Sequence, residues 1–183
     1  MIYLGVDNGK DGAVVVIGAD GKITEKYKTP LLKASTKGGK KQGRDEYDIV
    51  AMGAILLKIR DQVVAASAAE MITVTIEKAQ PLPSSLGGVA ANYQRGFSFG
   101  LWQGLMVGLG ISYQVVTPQA WQKVMLAGIN ASDTKQAALI AAGRLWPKEN
   151  WRKSDLAKKA DEGFVDAALI AEMGRRLYAG IKP

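Results

Sequence analysis

The 183-residue chain has no cysteine and no histidine. Lack of cysteine excludes disulfides and thiolate metal centres. Lack of histidine excludes imidazole bases, Ser-His triads and His-ligated zinc. A hydrolytic site in this chain must therefore rest on carboxylates, which favour hard ions such as Mg²⁺ or Mn²⁺. Long apolar runs are also missing. The most apolar stretch, FSFGLWQGLMVGLGI (97–111), is interrupted by four glycines and a glutamine and is too short to span a bilayer. No membrane partner is expected. The opening MIYLGVDNG carries no signal-peptide pattern, so a cytoplasmic location is the expectation. Acids are the scarcer charge, 17 against 24 Lys and Arg, and the net charge of +7 suggests an anionic partner, most simply nucleic acid.

What is present fits one globular domain over residues 1–183, with 48% hydrophobic and 22% charged residues. IYLGVD, GAVVVIG and ITEKYK are β-type runs separated by NGKD and ADGK, which predicts an antiparallel meander over 2–28. The segment 33–44, KASTKGGKKQGR, is rich in lysine and glycine and has no acid; it reads as a mobile cationic loop. Asp45 or Asp48 then caps a helix over IVAMGAILLKIRDQVVAASAAE. ITVTIE (72–77) and ISYQVV (111–116) read as strands. Helices are expected around 90–109, from Pro118, over 133–145 and over about 157–178. A hairpin set followed by βαβ units predicts an α/β fold, a mixed sheet with helices on both faces.

Asp7 ends the first strand and shares a face with Tyr3 and Gly5; Glu77 ends ITVTIE and shares a face with Thr73 and Thr75. Each acid could simply punctuate a strand end. If the two strands are neighbours, however, both carboxylates meet beyond their carboxyl ends, where open sheets collect ligands. The segment DEGFVDAALIAE (161–172) places Asp161, Glu162 and Asp166 at the mouth of an apolar helix with no basic residue among them. Glu162 and Asp166 share one helix face, and Asp161 suits the N-cap. Capping does not account for Asp166, one turn inside among Val165, Ala167 and Ala168. Together these acids form a cluster able to hold two divalent ions roughly 3.5–4 Å apart, as in two-metal phosphodiester hydrolysis.

With those residues in place, the chain resembles the RuvC-like Holliday junction resolvases of the ribonuclease H-like superfamily, in a form typical of phages. IYLGVDNGKDGAVVV, TVTIEKAQ, VTPQAWQKVMLAG, DTKQAALIAAGRLWP and DEGFVDAALIAEMGRR carry the resemblance, in that order, over nearly the whole chain. The resemblance implies a ribonuclease H-like mixed five-stranded sheet and metal-binding catalytic acids at Asp7, Glu77 and Asp166. Many relatives have Asp or His three residues before the final Asp, where this chain has Gly163. Phage-type relatives often read His-Asp-Gly there, which makes Glu162 the fourth acid and Asp161 its possible substitute. Lys123 and Lys135 fall where the family carries lysines near the cleaved phosphate. The resemblance further implies about two Mg²⁺ or Mn²⁺ ions per site, a homodimer, and symmetric cutting of four-way DNA junctions.

For DNA contact, the candidates are Lys40 and Lys41 in the cationic loop, Tyr93 and Arg95 after the QPLPSSLGG turn, and Lys123 and Lys135. Plain solvated lysines and a structural tyrosine are the competing readings. A helix over 97–111, apolar around much of its circumference, needs burial on two sides, as a dimer provides. Two other functions remain open, a ribonuclease H-like nuclease acting on RNA–DNA hybrids or flaps and a non-catalytic junction-binding module. VDNGKDGA also looks like the first phosphate loop of actin-like ATPases and sugar kinases, but those need a second domain and a second phosphate loop.

Overall fold

The structure is a computed structural model. It describes residues 1–38, 40–41, 43–66, 71–83, 85 and 88–181, with the side chains of Lys37, Lys40 and Lys41 outside that description. Strands β1 (Ile2–Asp7), β2 (Ala13–Ile17) and β3 (Ile23–Lys28) form the expected antiparallel meander. The β2–β3 turn closes through Gly21, whose φ of +78° is the left-handed region that glycine enters without strain. The segment after β3 is less open than its composition suggests. It carries two short ribbons, β4 (Leu31–Leu32) with β7 (Glu46–Tyr47) and β5 (Thr36–Lys37) with β6 (Lys40–Lys41).

Helix α1 (Ile49–Ala66) begins where the Asp48 carboxylate accepts the Ala51 amide at 2.9 Å. Asp45, the other candidate cap, instead accepts from the Ala34 amide. Strand β8 (Ile72–Glu77) follows, then α2 (Val89–Gly108), β9 (Tyr113–Val116), α3 (Pro118–Met125), α4 (Thr134–Leu145) and α5 (Glu162–Tyr178). The five-stranded sheet runs β3-β2-β1-β8-β9, with β1, β8 and β9 parallel, so the sheet is mixed as expected.

Strand alternation sends side chains to two separate cores. Leu4, Val6, Val14, Val16, Val74 and Ile76 pack against α1 and α2 through Met52, Leu56, Trp102 and Met106. On the opposite face, Tyr3, Val15 and Ile17 meet α3, α4 and α5 through Trp121, Ala142, Leu169 and Ile170. Helix α5 begins at Glu162, later than the 157 that its apolar pattern predicts. The Asp161 carboxylate accepts the Phe164 amide at 3.2 Å and so fixes the first turn. Residues 152–160 form a loop pinned by an Arg152–Ala160 bridge.

Candidate active site

Val6 pairs with Ile76 across the parallel β1–β8 ladder, so Asp7 and Glu77, the next residue on each strand, end side by side. Helix α5 crosses this end of the sheet at very short range. A Cβ on Gly5 would lie 1.9 Å from the Ala167 carbonyl oxygen and 2.4 Å from the Ala171 nitrogen, so only glycine allows the strand to touch the helix backbone. Gly174 rests equally closely on Thr75 of β8, where an added Cβ would lie 2.1 Å from Oγ1. These two contacts seat α5 across both strands and bring Asp166, beside Ala167, to the strand ends. Asp7, Glu77, Glu162 and Asp166 all line one cleft of about 670 Å³.

The Glu77 arm is held from both sides. Its carboxylate accepts the Trp121 indole N–H at 2.5 Å, and its backbone carbonyl accepts from the Asn8 side chain at 2.5 Å. The Asn8 carbonyl in turn accepts from the Ser98 hydroxyl, which ties the strand ends to α2. Asp7 Oδ1 accepts the Gly9 amide at 3.1 Å. Glu162 reaches the other way and pairs with Lys135 at 2.7 Å.

Burial, then repulsion from Asp7, pushes Glu77 up to about 7 against the pull of the indole bond and Arg95. Burial likewise raises Asp166 to about 7, reinforced by Asp7, Glu77 and Glu162 and only partly offset by Lys135. Asp7 is raised too, chiefly by burial. A raised carboxylate pKa means the folded state keeps a proton that the unfolded chain has released. Stability contributed by these groups therefore falls as pH climbs from their unfolded values of 4.5 and 3.8 through about 7. Glu25 and Glu172 are shifted down and act in the opposite sense, so the effect is read against a variant. In EDTA, the melting temperature of the wild type should fall relative to that of Asp166→Asn between about pH 4 and 7. Adding Mn²⁺ at pH 8 should reverse the loss, because an ion that binds the folded chain stabilises it. A constant difference across that pH range would contradict the account.

The donor set is oxygen alone, in a cleft with excess negative charge, and this suits a hard divalent cation. As the side chains stand, no three acids among the described residues converge closely enough to hold one. The reason is visible: Glu162 is turned to Lys135, Glu77 to the Trp121 indole and Asp7 to the Gly9 amide.

The remaining candidates divide. Asp161 does not line the cleft; it caps α5 and pairs with Lys28 at 2.7 Å. Gly163 cannot carry the acid that many relatives have at that position, because a Cβ there would lie 2.2 Å from the Asp11 carbonyl oxygen. Lys135 reaches Glu162 at the cleft edge, and Arg95 lines the cleft. Tyr93 is 64% exposed and stacks on Phe97 with ring centroids 6.0 Å apart. Lys123 is exposed on α3 and lines neither this cleft nor its neighbour. The side chains of Lys40 and Lys41 lie outside the described residues. Sequence reasoning missed Lys10, Tyr47, Lys78 and Ser98 on the cleft wall and Trp121 behind Glu77. None of them sits in a spacing that signals a site.

The fold is the ribonuclease H-like fold of the RuvC resolvases. The Thermus thermophilus RuvC structure in complex with a Holliday junction substrate superposes with a TM-score of 0.60 at 15% identity, over 99% of this chain and 97% of that one. A second T. thermophilus RuvC structure gives 0.54 at 15% identity, over 99% and 98%. The yeast mitochondrial Holliday junction resolvase Ydc2 gives 0.53 at 13% identity, over 97% and 79%. No protein-family model and no curated protein sequence matches the chain.

Proposed function

We propose that this chain is a structure-selective endodeoxyribonuclease. In this reading it resolves four-way and other branched DNA junctions by Mg²⁺- or Mn²⁺-dependent phosphodiester hydrolysis, with symmetric nicks made by a homodimer. The observation that carries the proposal is the convergence on one cleft of four carboxylates from β1, β8 and α5, in a chain whose net charge is +7. Similarity of fold to RuvC bound to a Holliday junction and to a mitochondrial resolvase supports the choice of substrate. No helix among the described residues is long and apolar enough to cross a membrane.

Asp7, Glu77, Asp166 and Glu162 would hold the ions, which when bound supply water activation and stabilisation of the leaving oxygen. Trp121 and Asn8 fix the Glu77 arm so that its carboxylate stays at the cleft. Lys135 pairs with Glu162 in the free protein; were Glu162 to hold an ion instead, the Lys135 ammonium would be free to meet the scissile phosphate. Arg95, Lys78 and Lys10 line the same cleft and would meet the phosphate backbone there. The exposed apolar residues of α2, Val89 at 89%, Phe97 at 41% and Val107 at 67%, supply the surface for a second copy.

Lys135→Ala should lower the single-turnover cleavage rate by about 10²–10³-fold, the usual worth of one donor to transition-state charge, with junction affinity changed only a few-fold. An affinity loss that accounts for the whole rate effect would reduce Lys135 to a docking residue. The overall proposal is tested with a labelled four-way junction bound in Ca²⁺ and then given Mg²⁺. Paired nicks at symmetric positions support the resolvase. A bound but uncut junction favours a binding module, and preferential cutting of an RNA–DNA hybrid or flap favours another ribonuclease H-like nuclease.

A further inference from the structure

A second cleft, of about 480 Å³, lies on the other side of the first turn of α5 and shares Glu162 and Asp166 with the first. Its other polar walls are Lys135, Gln136, Lys158 and Lys159. Asp133 also borders it, but that carboxylate is turned to its own helix, accepting the Gln136 amide at 2.9 Å and the Ser132 hydroxyl at 3.2 Å. Lys135 is engaged by Glu162. Lys158 and Lys159 are exposed at the cleft and make no ion pair with any described residue.

These two cations are not on a free tail. Their loop is closed by the Arg152–Ala160 bridge and by the Asp161 amide, which donates to the Trp151 carbonyl at 2.6 Å. Trp151 is buried and packs edge-on against Trp146, with ring centroids 5.8 Å apart. The fold thus keeps two uncompensated ammonium groups beside the acidic cluster, on the side opposite Arg95. A DNA strand cut over those acids carries negative charge on both sides of the scissile phosphate. In the reading above, the cations of the first cleft would serve one side only.

Resting on the nuclease reading above, we infer that the second cleft is a subsite for the phosphodiester backbone of the cleaved strand, on the side of the scissile phosphate away from Arg95. Lys158 and Lys159 are its phosphate contacts.

The test measures binding of a four-way junction in Ca²⁺ across a salt series for wild type, Lys158→Ala/Lys159→Ala and Lys158→Arg/Lys159→Arg. Each lost phosphate contact flattens the slope of log affinity against log salt by about 0.7–0.9, so the alanine pair should flatten it by about 1.4–1.8 and the arginine pair should keep it. Lys22→Ala, at the far end of the sheet and 83% exposed, should leave the slope near the wild-type value. Single methylphosphonates on either side of the scissile phosphate then locate the contact. On the side away from Arg95 they should weaken the wild type and leave the alanine pair unaffected, whereas on the Arg95 side they should weaken both proteins alike. A wild-type slope in a folded alanine pair, or an alanine pair weakened by methylphosphonates on both sides as the wild type is, overturns the subsite while leaving the nuclease standing. A wild type that binds no branched DNA overturns the nuclease reading, and the subsite with it.

Discussion

Asp7→Asn should abolish junction cleavage while leaving junction binding in Ca²⁺ close to wild type. The asparagine keeps the shape of the side chain and can still accept the Gly9 amide that Asp7 accepts at 3.1 Å. What it loses is the negative charge that the proposed ions would need at the point where β1 and β8 end together. Metal-assisted hydrolysis draws several kcal/mol of transition-state stabilisation from the ions, and each ~1.4 kcal/mol is tenfold in rate, so a loss of at least ~10³-fold is expected. The basic surface is untouched, so affinity should persist. The free variant should also melt no lower than wild type, because burial and the neighbouring acids raise the Asp7 pKa and its charge is a net burden before an ion arrives. Single-turnover cleavage, a binding titration and a melting curve on one preparation check all three statements. Binding lost as severely as cutting would make Asp7 a structural residue.

Gly5→Ala should cost the most stability. The new Cβ would sit 1.9 Å from one backbone atom of α5 and 2.4 Å from another, and neither can swing away as a side chain could. Overpacking a core usually costs about 1–3 kcal/mol. A backbone collision that lifts a whole helix belongs in the rarer class above about 4 kcal/mol. Ala167, Leu169, Ile170 and Ala171 of that helix are all fully buried, so their packing is lost along with the contact. Denaturant unfolding should show the loss, or the protein should fail to accumulate in soluble form. A variant with native stability would mean that α5 does not lie on β1 as described.

The same close contact explains how much of the site could be read in advance. Strand and helix alternation, and the face shared by Tyr3, Gly5 and Asp7, are local patterns, and they predict the mixed sheet but not the strand order, which long-range pairing decides. Convergence of Asp7 with Glu77 needed only the parallel pairing of two strands that each end on an acid. The choice between Asp161 and Glu162 was not legible, because a capping carboxylate and a cleft carboxylate look alike until a partner such as Lys28, distant in sequence, is known. Gly163 reads as a missing ligand in the sequence, and its reason, the carbonyl of Asp11, lies in a turn far from it along the chain. Tyr47 and Trp121 reach the site only through tertiary packing, which no local spacing announces. The start of α5 was misplaced because apolar periodicity does not show where a cap will stop it.

The most direct measurement is anomalous scattering from crystals soaked in Mn²⁺ at pH 8. The account predicts manganese peaks at the shared ends of β1 and β8, ligated by oxygens of Asp7, Glu77 and Asp166, with Glu162 swung away from Lys135 to complete the set. No manganese in that cleft, with Glu162 still paired to Lys135, would contradict it.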